Sequence, residues 1–315
     1  MLIFEKITTL PEFTAPGGFK GSQAPCSILM EDDVMRVYFS SRDQLKRSQP
    51  FFMDLDISEN PPRVINVWQE PLLPLGEDYE FDSDGVMISQ VIKTNFAPIV
   101  WYVGWNDGND QIRYMTAIGK GYFDGITGKW IKEDRYNPIL DRGYGSPCGT
   151  SMPFYHDDNL YFMSYKRWIQ TYEGSLEGES GLWEPEYGLS MVFKNEDRVG
   201  LSLSDTYDLN LKKPGESLAR PIVWTDGNTS KMLFSYRGEK DYRFDRTQSY
   251  KIGYAESEFR CHNWKRDDSQ VKILGGEDDL MQAYPYLERN TKYGTFLLYN
   301  SDFTSPLVLC KQVEG

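Results

Sequence analysis

Histidine is nearly absent from these 315 residues, His156 and His262 being the only two. Two imidazoles are too few for a multi-histidine metal site, and a histidine-based triad is a poor expectation. Cysteine is scarce as well. Cys26, Cys148, Cys261 and Cys310 form no CxxC pair, so neither a zinc ribbon nor a redox motif is readable. Cys26 and Cys148 each follow a proline and read as packing on inner strands. Positive charge is short: 34 Lys and Arg stand against 47 Asp and Glu, a net charge of −13. That balance excludes nucleic acid or an anionic membrane as the expected partner, while allowing a local basic pocket. No stretch approaches the roughly 18–20 apolar residues of a membrane span. MLIFEKITTLPEF lacks a basic segment followed by an apolar run, so reduced thiols in the cytoplasm are expected. There is no phosphate loop or dinucleotide fingerprint. Asp107–Asp110 and Glu277–Asp279 lack EF-hand spacing and read as turns, so neither cofactor nor metal is expected.

Helical periodicity is missing too. What the chain has is aromatic residues: 21 Tyr, 17 Phe and 8 Trp. Such side chains pack well on pleated surfaces, and their faces also suit the C–H faces of sugars. Short alternating runs are separated by Gly, Asp, Asn and Pro: Val34–Ser40, Ile99–Gly104, Leu160–Tyr165, Lys231–Tyr236 and Gly294–Tyr299. They read as strands, and Thr171–Pro185 reads as a loop.

Aligned, the runs form a repeat. Each unit opens on a small or polar residue, then Pro25, Pro147, Pro221 or Pro285, with Met87 holding that place in one unit. A second run ends at Ser41-Arg42, Trp105-Asn106, Tyr165-Lys166, Tyr236-Arg237 and Tyr299-Asn300. A third follows at Phe52–Asp56, Ile112–Ala117, Tyr187–Val192, Ile252–Ser257 and Leu307–Lys311, and several units add a fourth. The spacing predicts an all-β chain: residues 1–315 as one five-bladed β-propeller with four-stranded antiparallel blades around a central axis. The last unit lacks a fourth strand, and Leu2–Ile7 is expected to supply it.

In such a blade the start of the innermost strand and the end of the second meet at one end of the axis. That places Gln23, Asp82, Asp84, Arg142, Ser146, Glu216, Arg220 and Asp278 with Arg42, Trp105, Asn106, Lys166, Glu184, Arg237, Arg243 and Asn300 around one cup. A concave cup of polar groups is the usual form of a small-molecule site. Asp82 and Asp84 are two apart in an extended segment and can share a face, where paired carboxylates raise one pKa; an Asp-rich turn is the other reading. Glu216 precedes Ala-Arg-Pro and is a candidate partner for Arg220. The arginines on this face of an acidic protein suggest an anionic ligand, since Arg forks hold carboxylate and phosphate.

FDSDGVMISQVI (81–92), WYVGWN (101–106), NPILDRGYGSPCGTSMPFY (137–155), WEPEYGLS (183–190), LARPIV (218–223), FSYRGEKDYR (234–243), YKIGYAES (250–257) and DDLMQAYPY (278–286) form a consistent set. Together they resemble uncharacterised five-bladed, glycosidase-like propeller proteins related to the β-fructosidase and arabinanase superfamily, glycoside hydrolase families 32, 43, 62 and 68. The resemblance spans nearly the whole chain. It implies a carbohydrate-active protein that cleaves or transfers a glycosyl group, with a sugar or sugar derivative as partner and a place in surface-polysaccharide metabolism. By position Glu184 corresponds to the superfamily's acid, and Asp84 or Asp278 to a base or stabiliser. The chain departs from the superfamily in its first blade, where no Asp or Glu lies between Glu12 and Glu31. A noncatalytic carbohydrate-binding propeller is therefore the alternative, and a transferase or lyase on a nucleotide sugar a third reading.

Overall fold

The computed structural model describes residues 1–107, 114–133, 137–141, 152–156, 159–170, 183–194, 206–258, 263–303 and 306–314. In the described parts of 152–207 it gives the backbone path, with a described side chain at Leu189 alone. Arg142, Ser146, Pro147, Cys148 and Cys261 lie outside the described residues. No α-helix occurs among those described; Asp268–Gln270 makes one 3-10 turn.

The chain begins with β1 (Leu2–Thr9) and a short β2 (Thr14–Ala15) that pairs with the start of β3. Antiparallel meanders follow. The first is β3 (Phe19–Glu31), β4 (Val34–Arg42), β5 (Ser48–Asp56) and β6 (Arg63–Val67). The second is β7 (Gly85–Ile92), β8 (Ile99–Asp107), β9 (Tyr114–Asp124) and β10 (Lys129–Lys132), joined to the first by one parallel bridge, Ser48 to Gly85. Next come β11 (Met152–His156), β12 (Asn159–Gln170), β13 (Trp183–Lys194) and β14 (Thr206–Asp208). Then follow β15 (Glu216–Asp226), β16 (Thr229–Gly238), β17 (Lys251–Ser257) and β18 (Lys265–Arg266).

The last sheet runs β20 (Ala283–Thr291), β21 (Gly294–Asn300), β22 (Leu307–Val313), β1, β19 (Val271–Leu274). The first strand thus lies antiparallel to the last, Ile3 facing Val313 and Thr9 facing Val308. Beyond it β19 adds a fifth, parallel strand, which four-stranded patterning does not anticipate. Two other boundaries differ from the sequence reading. Trp183–Pro185 belong to β13 rather than to a loop, and β9 continues to Asp124 because Gly119 and Gly121 tolerate close cross-strand packing.

The first strands of the meanders lie side by side in cyclic order: β3 by β7, β7 by β11, β11 by β15, β15 by β20, and β20 by β3. Central strands are buried on both faces, since each sheet packs between two others; Val37, Tyr38 and Phe39 are successive buried residues of β4. Phe13 meets both Phe39 and Phe51 at 4.8 Å between ring centroids. Full burial of such a ring contributes roughly 1.5–3 kcal/mol.

The recurring prolines have a backbone meaning. Ala24, Arg220 and Tyr284, each preceding a proline, have φ of 54°, 48° and 59°. The β3–β4, β15–β16 and β20–β21 registers slip at these positions. Proline has no N–H to give the ladder, so the strand bulges there and re-aims the preceding side chain. Cys26 and Cys310 are buried free thiols, and burial pushes both up to about 12. Such thiols are protonated and inert at neutral pH, matching the packing role expected of Cys26.

Candidate functional site

Arg220 stands where the first strands converge, 2% exposed. Its Nη1 donates to Ile88 O on β7 at 3.3 Å, and Nη2 to Ala24 O and Pro25 O on β3 at 3.3 and 3.2 Å. Its guanidinium lies 5.8 Å from the Tyr284 ring on β20. One side chain on β15 therefore ties three other first strands together. Burial lowers its pKa from the ordinary value. The sequence reading assigns Arg220 to the site; the structure buries it among the carbonyls of β3 and β7. Its expected partner Glu216 is instead bound to Arg266, Nη1 to Oε2, at 2.7 Å.

The end of β16 and the following loop supply a layer of arginine and tyrosine. Arg237 is buried; its Nε donates to Tyr250 OH at 3.2 Å and its Nη1 to Gly238 O at 2.7 Å. The rings extend the layer. The Arg237 guanidinium lies 3.6 Å from the Tyr242 ring centroid and that of Arg243 lies 4.6 Å from it. Tyr284 OH donates to Tyr250 OH at 3.3 Å. Burial raises the Tyr242 and Tyr284 phenols well above their ordinary value, so both are neutral hydroxyls at physiological pH.

Arg42 ends β4 and faces Ser48 across the ladder. Its side chain is open to solvent, yet desolvation pulls its pKa down, and Arg243 pulls in the same direction. Tyr284, Tyr114 and Tyr242 lie within electrostatic reach and oppose that shift. Arg243 and Tyr242 come from one meander, Tyr284 from another, and all three lie within electrostatic reach of Arg42 from a third.

The acidic candidates separate. Asp84 is half-buried and firmly held: its N–H donates to Trp105 O at 3.2 Å, and its Oδ2 accepts from Asp107 N–H at 2.9 Å. Asp82 does not share its surroundings. Asp82 is 1% exposed, and its Oδ2 lies 2.7 Å from Lys132 Nζ on the outer strand β10. It is thus an ion-pairing residue of the second meander, and the expectation that both aspartates point into the cup is not met. Asp278 is exposed, whereas its neighbour Asp279 is held by Lys6 at 2.8 Å and by the Tyr299 hydroxyl. For Glu184 and Lys166 the backbone register is described, facing Ile169 and Tyr187 respectively; their side chains lie outside the described residues.

The amides and the tryptophan also divide. Asn300 is fully buried, its Oδ1 accepting from Ala24 N–H at 2.8 Å and its Nδ2 donating to Ser22 O at 2.7 Å. Both ends of the amide serve the backbone, so Asn300 joins the last meander to the first rather than binding a ligand. Trp105 packs over Gly85, where an added Cβ would meet its Nε1 at 1.7 Å, and that nitrogen donates to Ser48 Oγ at 2.6 Å. Gln23 and Asn106 are half-buried on β3 and β8 at the same end of the strands as Asp84.

Sequence reasoning passed over Tyr242, Tyr250 and Tyr284, the rings between the arginines. Tyr284 carried the one available signal: it stands before Pro285 as Arg220 stands before Pro221. Among the described residues no group of three or more His, Cys, Asp or Glu is arranged to hold a metal ion. No described helix is long and apolar enough to cross a membrane.

No protein-family model matches the chain. It is 24% identical over 214 residues, 67% of either chain, to the uncharacterized protein Rv1502 of Mycobacterium tuberculosis (strain ATCC 25618 / H37Rv). Solved structures match over far more. A glycoside hydrolase superposes with a TM-score of 0.64 at 10% identity, covering 98% of this chain and 92% of that one. An exo-1,5-α-L-arabinanase from a bovine ruminal metagenomic library gives 0.59 at 9% identity, over 96% and 100%. The catalytic domain of the Coprinopsis cinerea GH62 α-L-arabinofuranosidase gives 0.57 at 12%, over 99% and 96%. The chain is all-β and shares the β-propeller fold of these glycoside hydrolases.

Proposed function

We propose that the chain is a five-bladed propeller whose axial cup binds a sugar and cleaves or transfers a glycosyl group. The observation that carries this reading is convergence. First strands from separate meanders adjoin one another in cyclic order, within a fold that glycoside hydrolases match over nearly the whole chain, and their starts together with the second-strand ends are assigned to one cup. The cyclic order of the first strands supports five blades. Cleavage needs an acid for the leaving oxygen and a carboxylate to activate water or attack the anomeric carbon. Glu184 is assigned the acid, with Asp84 or Asp278 as base or stabiliser. The bond that Asp84 N–H donates to Trp105 O and the one its Oδ2 accepts from Asp107 N–H fix Asp84 in place, as a positioned carboxylate requires. Gln23, Trp105, Asn106 and Lys166 complete the assigned wall.

One observation favours a second reading, a noncatalytic sugar-binding propeller. The mouth of the first strand carries Gln23 rather than a carboxylate, and the described wall is arginine and tyrosine. Reducing-end release from a panel of oligosaccharides decides between them. The enzyme reading expects turnover that falls at least 100-fold in Glu184→Gln and in Asp84→Asn, with melting temperature unchanged. Binding without turnover across the panel selects the second reading.

A further inference from the structure

We infer that the cleft between the β15–β16 face and the β20–β21–β22 face is a second ligand site, at the far ends of the first strands from the assigned cup. Its occupant is one acidic sugar unit, the ring laid on Trp224 and the carboxylate held by Arg289. This site is independent of the chemistry proposed for the cup.

The cleft encloses about 180 Å³. On one wall Trp224 and Asp226 stand two apart on β15, and Lys231 of β16 faces Trp224 across the ladder, so the three share a face. The other wall carries Arg289 of β20, Thr295 of β21 and Gln312 of β22, with the buried Phe4 of β1 facing Gln312 across the ladder. A seam that serves packing alone is closed by apolar side chains. This one is polar on both walls, and Asp226 and Gln312 at its edge are exposed, so it opens to solvent.

Arg289 is the residue that packing does not account for. It is half-buried, and among the described residues it makes one hydrogen bond, Nη1 to Thr225 O at 3.4 Å. Its guanidinium lies 5.6 Å from the Trp224 ring centroid. Asp226 is within electrostatic reach, but its Oδ2 is bonded to Lys231 Nζ at 2.7 Å. The one carboxylate of the cleft is thereby taken, and its walls hold two cations against one anion. Burial pulls the Arg289 pKa below its ordinary value, as expected for a cation partly withdrawn from water without a bonded counter-charge. An incoming carboxylate supplies that counter-charge, and the guanidinium fork can hold it at two points. The ring beside it sets what the carboxylate is attached to. Trp224 is half-buried and lines the cleft, and an aromatic face suits the C–H face of a sugar. Thr295 and Gln312 offer a hydroxyl and an amide to the sugar hydroxyls. The volume is below the ~300–1,000 Å³ of sites for drug-sized ligands, which limits the occupant to about one ring.

NMR of the full chain with isotope-labelled tryptophan indoles tests this. Trp224 reports on the cleft and Trp105 on the assigned cup, and Trp224→Phe and Trp105→Phe assign the two signals. Titration with galacturonate or glucuronate should shift the Trp224 signal saturably. Galactose, glucose and acetate should each bind there about ten-fold more weakly or worse, the scale of one charge-assisted bond. Arg289→Gln keeps a donor for Thr225 O; it should weaken the acidic sugars by about ten-fold with melting temperature unchanged, and Arg289→Lys should keep part of the affinity. Neutral sugars that bind as well as the acids overturn the role of the carboxylate, and acetate that binds as well overturns the role of the ring. A Trp224 signal that neither acidic sugar moves, or that moves equally in Arg289→Gln, overturns the site. A shift confined to Trp105 overturns it too and leaves the sugar-binding cup standing.

Discussion

Asn300 Oδ1 accepts the Ala24 N–H at 2.8 Å across 276 residues of chain, and the same amide donates to Ser22 O at 2.7 Å. The bond joins the end of β21 to the bulge in β3. One meander earlier the same device recurs: Ser235 Oγ accepts the Tyr284 N–H at 2.7 Å. Ser235 faces Ala219 across its ladder, just as Asn300 faces Ala283. The bulge residues Ala24 and Tyr284 thus each find a partner on the neighbouring sheet, which keeps a buried N–H satisfied. Asn300→Ala strands a buried N–H and a buried carbonyl, at about 1–3 kcal/mol each. Urea denaturation should show that loss, and an unchanged midpoint would remove Asn300 as the latch.

The repeat of prolines and strand ends was legible because a bulge and a polar cap leave local marks on the sequence. The same register assigned Arg220, Arg237, Arg243 and Arg42 to one face; in the structure Arg220 and Arg237 are buried and Arg237 and Arg243 both lie against the Tyr242 ring. What was not legible is pairing between distant residues. Asp82 and Asp84 look alike in Phe-Asp-Ser-Asp-Gly, yet Lys132, some 50 residues on, claims only one of them. Asn300 resembles a binding amide until Ala24 and Ser22 are seen to occupy both its ends. The tyrosine layer was hidden for another reason: in a chain this rich in aromatics, each ring reads first as core.

Removing Met1–Ile7 should be severely destabilising. β1 lies between β22 and β19, and its Phe4 is completely buried. Without it two strand edges open and the last sheet loses its connection to β19, which pairs with no other strand among the described residues. Calorimetry of the truncated chain should show a melting temperature lower by 10 °C or more on the order expected for several lost kcal/mol. A truncated chain that melts like the full one would mean the strand is dispensable.

Arg266 should be the most sensitive arginine for stability. Its side chain is 5% exposed, it pairs with Glu216 and Asp268, and it lies 4.6 Å from the Tyr236 ring. Although burial opposes it, the bonds from Arg266 hold the Asp268 carboxyl below its ordinary value. Arg266→Ala leaves Glu216 without its cation and Asp268 with the more exposed Lys213 alone, at 3.2 Å, a loss of about 3–5 kcal/mol. A triple variant, Arg266→Met with Glu216→Gln and Asp268→Asn, should recover much of it. Equal instability of the single and triple variants would show that packing over Tyr236, not charge, is what Arg266 contributes.

Glu288 on β20 should set the pH dependence of stability near neutrality. Burial raises its carboxyl from 4.5 to about 7, against the opposing effects of Ser27, whose Oγ donates to Oε2 at 2.8 Å, and of Lys93. Below about pH 4.5 the carboxyl is protonated in both folded and unfolded chains, so it contributes no pH dependence. Between 4.5 and 7 the unfolded chain ionises while the folded chain keeps its proton. Stability therefore falls as pH rises through that window, and above 7 the folded state carries a constant penalty of no more than about 3 kcal/mol. Glu288→Gln keeps an oxygen for Ser27 and removes the charge. It should raise the unfolding free energy at pH 8 by about 1–3 kcal/mol and leave it nearly unchanged at pH 4.5. Urea midpoints of wild type and variant across pH 4.5–8.5 measure the difference directly. A constant offset at every pH would mean that shape, not ionisation, accounts for the effect. A variant less stable at pH 8 would mean that the ionised carboxylate is favoured in the fold.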